Sequence, residues 1–212
     1  AKIIGITGAN GKSTTTSLTA HLLRNTIHES LATSNEQVWL SGNIGNQPLL
    51  TILDKIKSDD LVVLELSSFQ IEQLAEFKRA PDIALLTNLT PNHLDRYGTF
   101  EKYCAAKENI FKYQKLDESN PAISIFNAED KIACQWYEKY KNDKGRTCIK
   151  FSINDVPKEF RNLYKLPGRA NLSNLAAVLS IARLFNITDE SIKKSLPDFN
   201  NIKIDFSPYL TI

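Results

Sequence analysis

The stretch KIIGITGANGKSTTTSLTAHLLRN (residues 2–25) constrains the fold more than any other part of the chain. It opens with a short apolar run rich in β-branched side chains. Beyond the glycines, Leu18, Leu22 and Leu23 recur at helical spacing, so the order is strand, turn, helix. A glycine-rich turn in that place carries what a polyphosphate needs. Glycines let successive N–H groups point inward, a lysine neutralises charge, a hydroxyl reaches Mg²⁺, and a helix N-terminus lies behind. Gly8, Ala9, Asn10, Gly11, Lys12, Ser13 and Thr14 are the candidate nucleotide-binding residues. The match to GxxxxGK[ST] is not strict, because its first glycine would fall on Ile6 while Gly5 lies one residue earlier.

The alternation continues downstream. DLVVLEL (60–66), DIALLTNL (82–89), PAISIFN (121–127) and TCIKFSI (147–153) read as buried strands. SFQIEQLAEF (68–77), TFEKYCAAKENIFKY (99–113), AEDKIACQWYEKY (128–140) and NLSNLAAVLSIARLF (171–185) read as helices, with a short one near 188–195. GNIGNQPLLTILDKI (42–56) reads as a loop and then a helix with Pro48 in its first turn. Residues 154–168 are less periodic, and a small antiparallel hairpin near 147–168 is allowed. The expected class is α/β: a mostly parallel, doubly wound sheet with a P-loop and helices on both faces. Ligands of such sheets sit at the carboxyl ends of the strands, so the loops after Ile6, Leu64 and Leu86 should gather on one edge. There Glu65, closing a buried apolar run, is placed to hold Mg²⁺ beside nucleotide phosphates; alone it would read as an ordinary ion-pairing residue.

Charge and cysteine content narrow the function classes. The 26 basic and 24 acidic residues are mixed along the chain, leaving a net charge of +2 and no basic stripe, so neither nucleic acid nor membrane is an expected partner. No apolar run is long enough to span a bilayer. Cys104, Cys134 and Cys148 are sparse, odd in number and without a CxxC pair, which suits a reducing, cytoplasmic compartment. Met is absent even at position 1, and Ala1 abuts the first strand, so the chain reads as a segment of a longer protein.

Five segments in order carry a resemblance to a known family: GITGANGKSTTT, SGNIGNQPLL, VVLELSSFQIEQL, LTNLTPNHLDRYGTFEKYCAAKENIF and LPGRANLSNLAAVLSIA. Together they resemble the Mur ligases, and the third and fourth resemble the branch that adds D-glutamate. The resemblance spans about residues 2–195. It implies an ATP-dependent amide-bond ligase of peptidoglycan synthesis, using ATP and two Mg²⁺ and acting through an acyl phosphate on UDP-N-acetylmuramoyl-L-alanine and D-glutamate. It implies that Lys12 and the loop hold the β- and γ-phosphates, and that Ser13, with Thr14, and Glu65 hold the first metal. It also implies that Lys107, as a carbamate, and His93 place the second. Asn43 would stand near metal and phosphates, and Asn171 and Asn174 near the adenine. Without that context Lys107 reads as a solvated helix lysine, His93 as a loop histidine, and the asparagine pair as a cap and a polar helix face.

Departures from the family are specific. Ala170 replaces a customary His, Asn92 replaces a common Asp, and SLPDFNNIKIDFSPYLTI lacks the GLPHR segment that begins the family's third domain. The expected organisation is a central ATPase domain at 1–195 and a tail at 196–212, monomeric and without ligation on its own. A folylpolyglutamate synthase-like or other Mur-type domain, and a non-catalytic nucleotide-binding remnant, remain open alternatives.

Overall fold

The computed structural model describes residues 1–30, 36–44 and 49–199. Six strands form one sheet: β1 (Lys2–Thr7), β2 (Val38–Gly42), β3 (Leu61–Glu65), β4 (Ile83–Leu86), β5 (Ala122–Asn127) and β6 (Arg146–Phe151). Their order is β2-β3-β1-β4-β5-β6, and every pairing is parallel. The helices are α1 (Lys12–Ser30), α2 (Ser68–Glu76), α3 (Leu94–Tyr97), α4 (Phe100–Lys112), α5 (Lys131–Tyr140), α6 (Lys158–Leu163), α7 (Arg169–Leu184) and α8 (Asp189–Ser195).

The central strands β3 and β4 are apolar and buried almost throughout because both faces of the sheet are covered, whereas the edge strand β6 mixes polar and apolar side chains. The strand period of two divides the side chains between two cores. Ile4, Ile6, Leu61, Val63, Ile83, Leu85 and Ile125 face a core with α1 and α7. Val62, Leu64, Ala84, Leu86 and Phe126 face another with Ile71, Tyr103, Phe111 and Trp136 of α2, α4 and α5. Helix α1 is rich in threonine yet buried, because the hydroxyls of Thr16, Thr19 and Thr26 donate to the carbonyls of Lys12, Thr15 and Leu22 at 2.8, 2.8 and 2.6 Å. Helix starts are set by short polar side chains. Ser67 forms a capping box with Gln70, Thr99 accepts from the Lys102 N–H, and Asp130 accepts from those of Ile132 and Ala133.

Two expectations change, and one strand appears that the sequence reading did not assign. VWLSG (38–42) is a strand, β2, added at the sheet's edge beside β3. The described part of residues 42–56 holds no regular helix; it makes two 3₁₀ turns, Leu49–Thr51 and Leu53–Lys55, and Pro48 lies outside the described residues. The antiparallel hairpin at 147–168 is absent. β6 pairs parallel with β5, Ser152 caps a 3₁₀ turn at Ile153–Asp155, and Pro157, which has no N–H to give a ladder, starts α6. Phe160 anchors that helix in the first core.

Candidate functional site

β1 lies between β3 and β4, so the order in which strands are added reverses across it, and the carboxyl ends of these parallel strands meet. Ile6 is opposite Glu65, Thr7 is opposite Leu86, and Gly42 is opposite Glu65. The three loops that the sequence assigned to one edge do share it.

Glu65 is 1% exposed at the end of β3. Gly42 makes room for it: its φ is +98°, and a Cβ there would stand 2.2 Å from the Glu65 carbonyl oxygen. The Asn43 backbone N–H then donates to that carbonyl at 2.8 Å, and Asn43 Nδ2 donates to Glu65 Oε1 at 3.0 Å. Glu65 Oε2 is buried and has no hydrogen-bond partner among the described residues. An orphaned carboxylate oxygen is costly unless something cationic completes it, and a hard divalent cation fits. Among the described residues no three His, Cys, Asp or Glu side chains cluster, so any metal here would need hydroxyl, phosphate or water oxygens as well.

In the phosphate loop, Lys12 Nζ donates to the Ala9 carbonyl at 3.1 Å, folding the ammonium over the loop. The Ala9 and Asn10 N–H groups are already engaged, by the Asn88 carbonyl at 2.9 Å and Asn88 Oδ1 at 3.0 Å. The donors left for an anion include those of the first turn of α1, Lys12 to Thr14, which have no intrahelical acceptor. Gly8 passes so close to β4 that a Cβ would fall 1.9 Å from Thr87 Oγ1.

Helix α4 carries Lys107 inward, where it is 2% exposed. Its Nζ donates to Thr7 Oγ1 at 3.1 Å, and that hydroxyl donates to the Leu66 carbonyl at 2.7 Å. The Tyr103 ring lies 5.1 Å from Nζ. Burial first, and the Lys12 charge second, lower the Lys107 pKa to about 7, against the opposing pull of Cys104 and Glu65. Lys107 is thus no solvated helix lysine.

His93 is exposed, with a left-handed backbone at φ +52°, at the head of α3. Its ring meets Phe69 edge-on at 5.2 Å and lies 6.3 Å from Tyr103. Asn92, the departure from the family pattern, accepts from the His93 N–H at 2.9 Å. Gly8, Lys12, Asn43, His93 and Lys107 line one pocket of about 200 Å³. Asn171 and Asn174 do not line it. Asn171 Nδ2 donates to the Pro167 carbonyl at 2.8 Å, and Asn174 Nδ2 to Asn171 Oδ1 at 3.3 Å. Asn174 instead presses on Gly11, where a Cβ would be 2.2 Å from its Oδ1. Sequence reasoning missed Thr7, Thr87 and Asn88; the available signal was the polar pair Thr-Asn closing an otherwise apolar strand.

The buried amine makes stability depend on pH in a known direction. Below about 7 Lys107 is protonated in both folded and unfolded chains; from about 7 to 10.5 only the unfolded chain holds the proton, so stability rises with pH there. Lys107→Met should remove that rise and stabilise the chain at neutral pH by about 2–4 kcal/mol. Urea unfolding of both proteins at pH 6, 7.5 and 9 checks it; parallel curves would refute the burial of a charged amine.

Residues 6–165 match the family model described as the Mur ligase middle domain. The chain is 37% identical over 220 residues to the UDP-N-acetylmuramoylalanine--D-glutamate ligase of Clostridium tetani, covering 96% of this chain and 43% of that protein. It is 33% identical to the protein of the same name in Acidobacterium capsulatum, covering 95% and 45%. It therefore spans less than half the length of these relatives. Among solved structures, a UDP-N-acetylmuramoyl-L-alanyl-D-glutamate--2,6-diaminopimelate ligase superposes with a TM-score of 0.70 at 22% identity, covering 95% of this chain and 47% of that one. The MurF ligase of Thermotoga maritima in complex with ADP gives 0.65 at 22%, covering 95% and 49%. At that identity these two likenesses speak for the fold alone. No helix among the described residues is long and apolar enough to cross a membrane.

Proposed function

Because the chain belongs to the Mur ligase family through its middle domain, we propose that it is the Mg-ATP-binding part of a cytoplasmic ligase of peptidoglycan precursor synthesis. The reaction is the addition of D-glutamate to UDP-N-acetylmuramoyl-L-alanine, the activity named by its relatives. The observation that carries the reading is the buried, unpartnered Glu65 Oε2 beside a phosphate loop and a buried lysine. The L-alanine carboxylate of the muramyl substrate is a poor acyl donor. One of its oxygens attacks the γ-phosphorus of ATP, ADP leaves, and the resulting acyl phosphate has a good leaving group. The D-glutamate amine then attacks the acyl carbon, inorganic phosphate departs, and the amine loses a proton.

This chain's residues neutralise and position. The first-turn N–H groups of α1 and the Lys12 ammonium face the phosphates. Ser13, with Thr14, and Glu65 would hold the first Mg²⁺, which when bound neutralises phosphate charge. Asn43 keeps the Glu65 carboxylate aimed. Lys107, being largely neutral above about pH 7, can attack CO₂: a bond forms between Nζ and carbon, one proton leaves, and an anionic carbamate results. The modification would turn repulsion from Lys12 into attraction and, with His93, supply oxygen and nitrogen ligands for a second Mg²⁺. Asn174 would reach the adenine from α7, beside Gly11. Recognition of the muramyl nucleotide and of D-glutamate belongs to the remaining length of the ligase, so this chain alone binds nucleotide without turnover, as a monomer.

The test is phosphate release by the complete ligase. Release requiring both UDP-N-acetylmuramoyl-L-alanine and D-glutamate supports the reading. Release with a folate and L-glutamate instead would move the chain to the folylpolyglutamate synthases, and release with neither pair would leave a nucleotide-binding remnant.

A further inference from the structure

We propose that Asn88 is a positioning residue of the phosphate loop, the group that decides which loop amides face the nucleotide. The inference rests on the nucleotide-site reading above. The β1–β4 ladder does not stop where the strands end. The Thr87 N–H donates to the Thr7 carbonyl at 2.9 Å, and the Ala9 N–H donates to the Asn88 carbonyl at 2.9 Å. Beyond that rung the backbones diverge, and the Asn88 side chain takes over as a surrogate peptide. Its Oδ1 accepts from the Asn10 N–H at 3.0 Å, and its Nδ2 donates to the Asn10 carbonyl at 2.9 Å. Thr87 Oγ1 donates to that same carbonyl at 2.7 Å.

The Asn10 carbonyl thus receives two hydrogens and its N–H is engaged, so this part of the loop backbone cannot rotate toward a ligand without breaking three bonds. The turn that follows, through Gly11 at φ +80°, then begins from a fixed direction. That direction sends the unpaired N–H groups of Lys12 to Thr14 into the site. The mount is itself anchored: Asn127 Nδ2 donates to the Thr87 carbonyl at 2.7 Å, and Asp130 Oδ2 accepts from the Leu89 N–H at 2.7 Å. Only an amide offers a donor and an acceptor at this spacing. An isosteric carboxylate would meet the Asn10 N–H but face its carbonyl with like charge.

Two measurements separate this role from plain structural support. Amide hydrogen exchange on the chain without nucleotide should show the Asn10 N–H protected in the parent and exchanging at least tenfold faster in both Asn88→Ala and Asn88→Asp. Protection elsewhere in the sheet should be unchanged. Calorimetric titration with Mg-ATP should show about tenfold weaker binding in both variants, Asp giving no rescue although it fills the same volume. Thr87→Val, which removes one of the two bonds to the Asn10 carbonyl, should fall between and serves where an Asn88 variant fails to fold. Parent-like exchange and affinity in Asn88→Asp, or in Thr87→Val where it is the usable variant, would overturn the assignment. A parent that protects Asn10 but binds no Mg-ATP would instead overturn the nucleotide reading, and the positioning role with it.

Discussion

Lys107→Met in the complete ligase is expected to lower substrate-dependent phosphate release by about 10³-fold, the scale of removing a major electrostatic stabiliser from a closed site. Binding of Mg-ATP should change much less, because the phosphate loop and Glu65 are untouched. Methionine keeps the apolar length of the side chain, so the second core should hold, and the chain itself should become more stable as described above. The parent incubated with ¹³C-bicarbonate should show a carbamate carbon that the variant lacks. Its occupancy should grow as pH climbs through about 7, since only the neutral amine attacks CO₂ and burial with Lys12 has brought that titration into range. A variant that still ligates at the parent's rate, or a parent with no carbamate at pH 8.5 and saturating bicarbonate, would remove Lys107 from the chemistry.

Glu65→Gln should separate stability from function with opposite signs. Glutamine keeps the volume and can still accept from Asn43 Nδ2; its amide nitrogen would have no partner either, but it is uncharged and costs less to bury than the carboxylate oxygen it replaces. The ligand-free chain should therefore unfold at higher denaturant, by about 1–3 kcal/mol. At the same time Mg²⁺ should no longer strengthen ATP binding, and the complete ligase should lose about 10³-fold in rate, equivalent to about 4 kcal/mol of charge stabilisation. A variant that is both less stable and fully responsive to Mg²⁺ would show that the Glu65 carboxylate is structural.

Most of this architecture is written in period and punctuation. The runs around Ile4, Val63, Leu85 and Ile125 are continuous because helices cover both faces, and that continuity announces a parallel sheet. The phosphate loop is legible because its glycines, lysine and hydroxyl are consecutive. β2 was not legible: VWLSG is short, lies on the edge and follows a polar stretch, and only pairing with β3 makes it a strand. The turns at 49–55 imitate a helix in their apolar spacing, yet Leu50 and Leu53 stay exposed. For the site, the end of a buried apolar run named Glu65 and motif resemblance named His93 and Lys107, but no local pattern could show that Lys107 is buried against Thr7 or that one Glu65 oxygen lacks a partner. Those depend on residues a hundred positions apart. Asn88 was invisible for the same reason, since its partner Asn10 lies across the β1–β4 crossover.

The most direct test of the central claim is calorimetric titration of this chain with ATP, with and without Mg²⁺, beside Lys12→Ala. Saturable one-to-one binding that strengthens with Mg²⁺ and falls at least tenfold in the variant is the predicted result. Binding that ignores both Mg²⁺ and Lys12, or no binding at all, would contradict a Mg-nucleotide site at the head of α1.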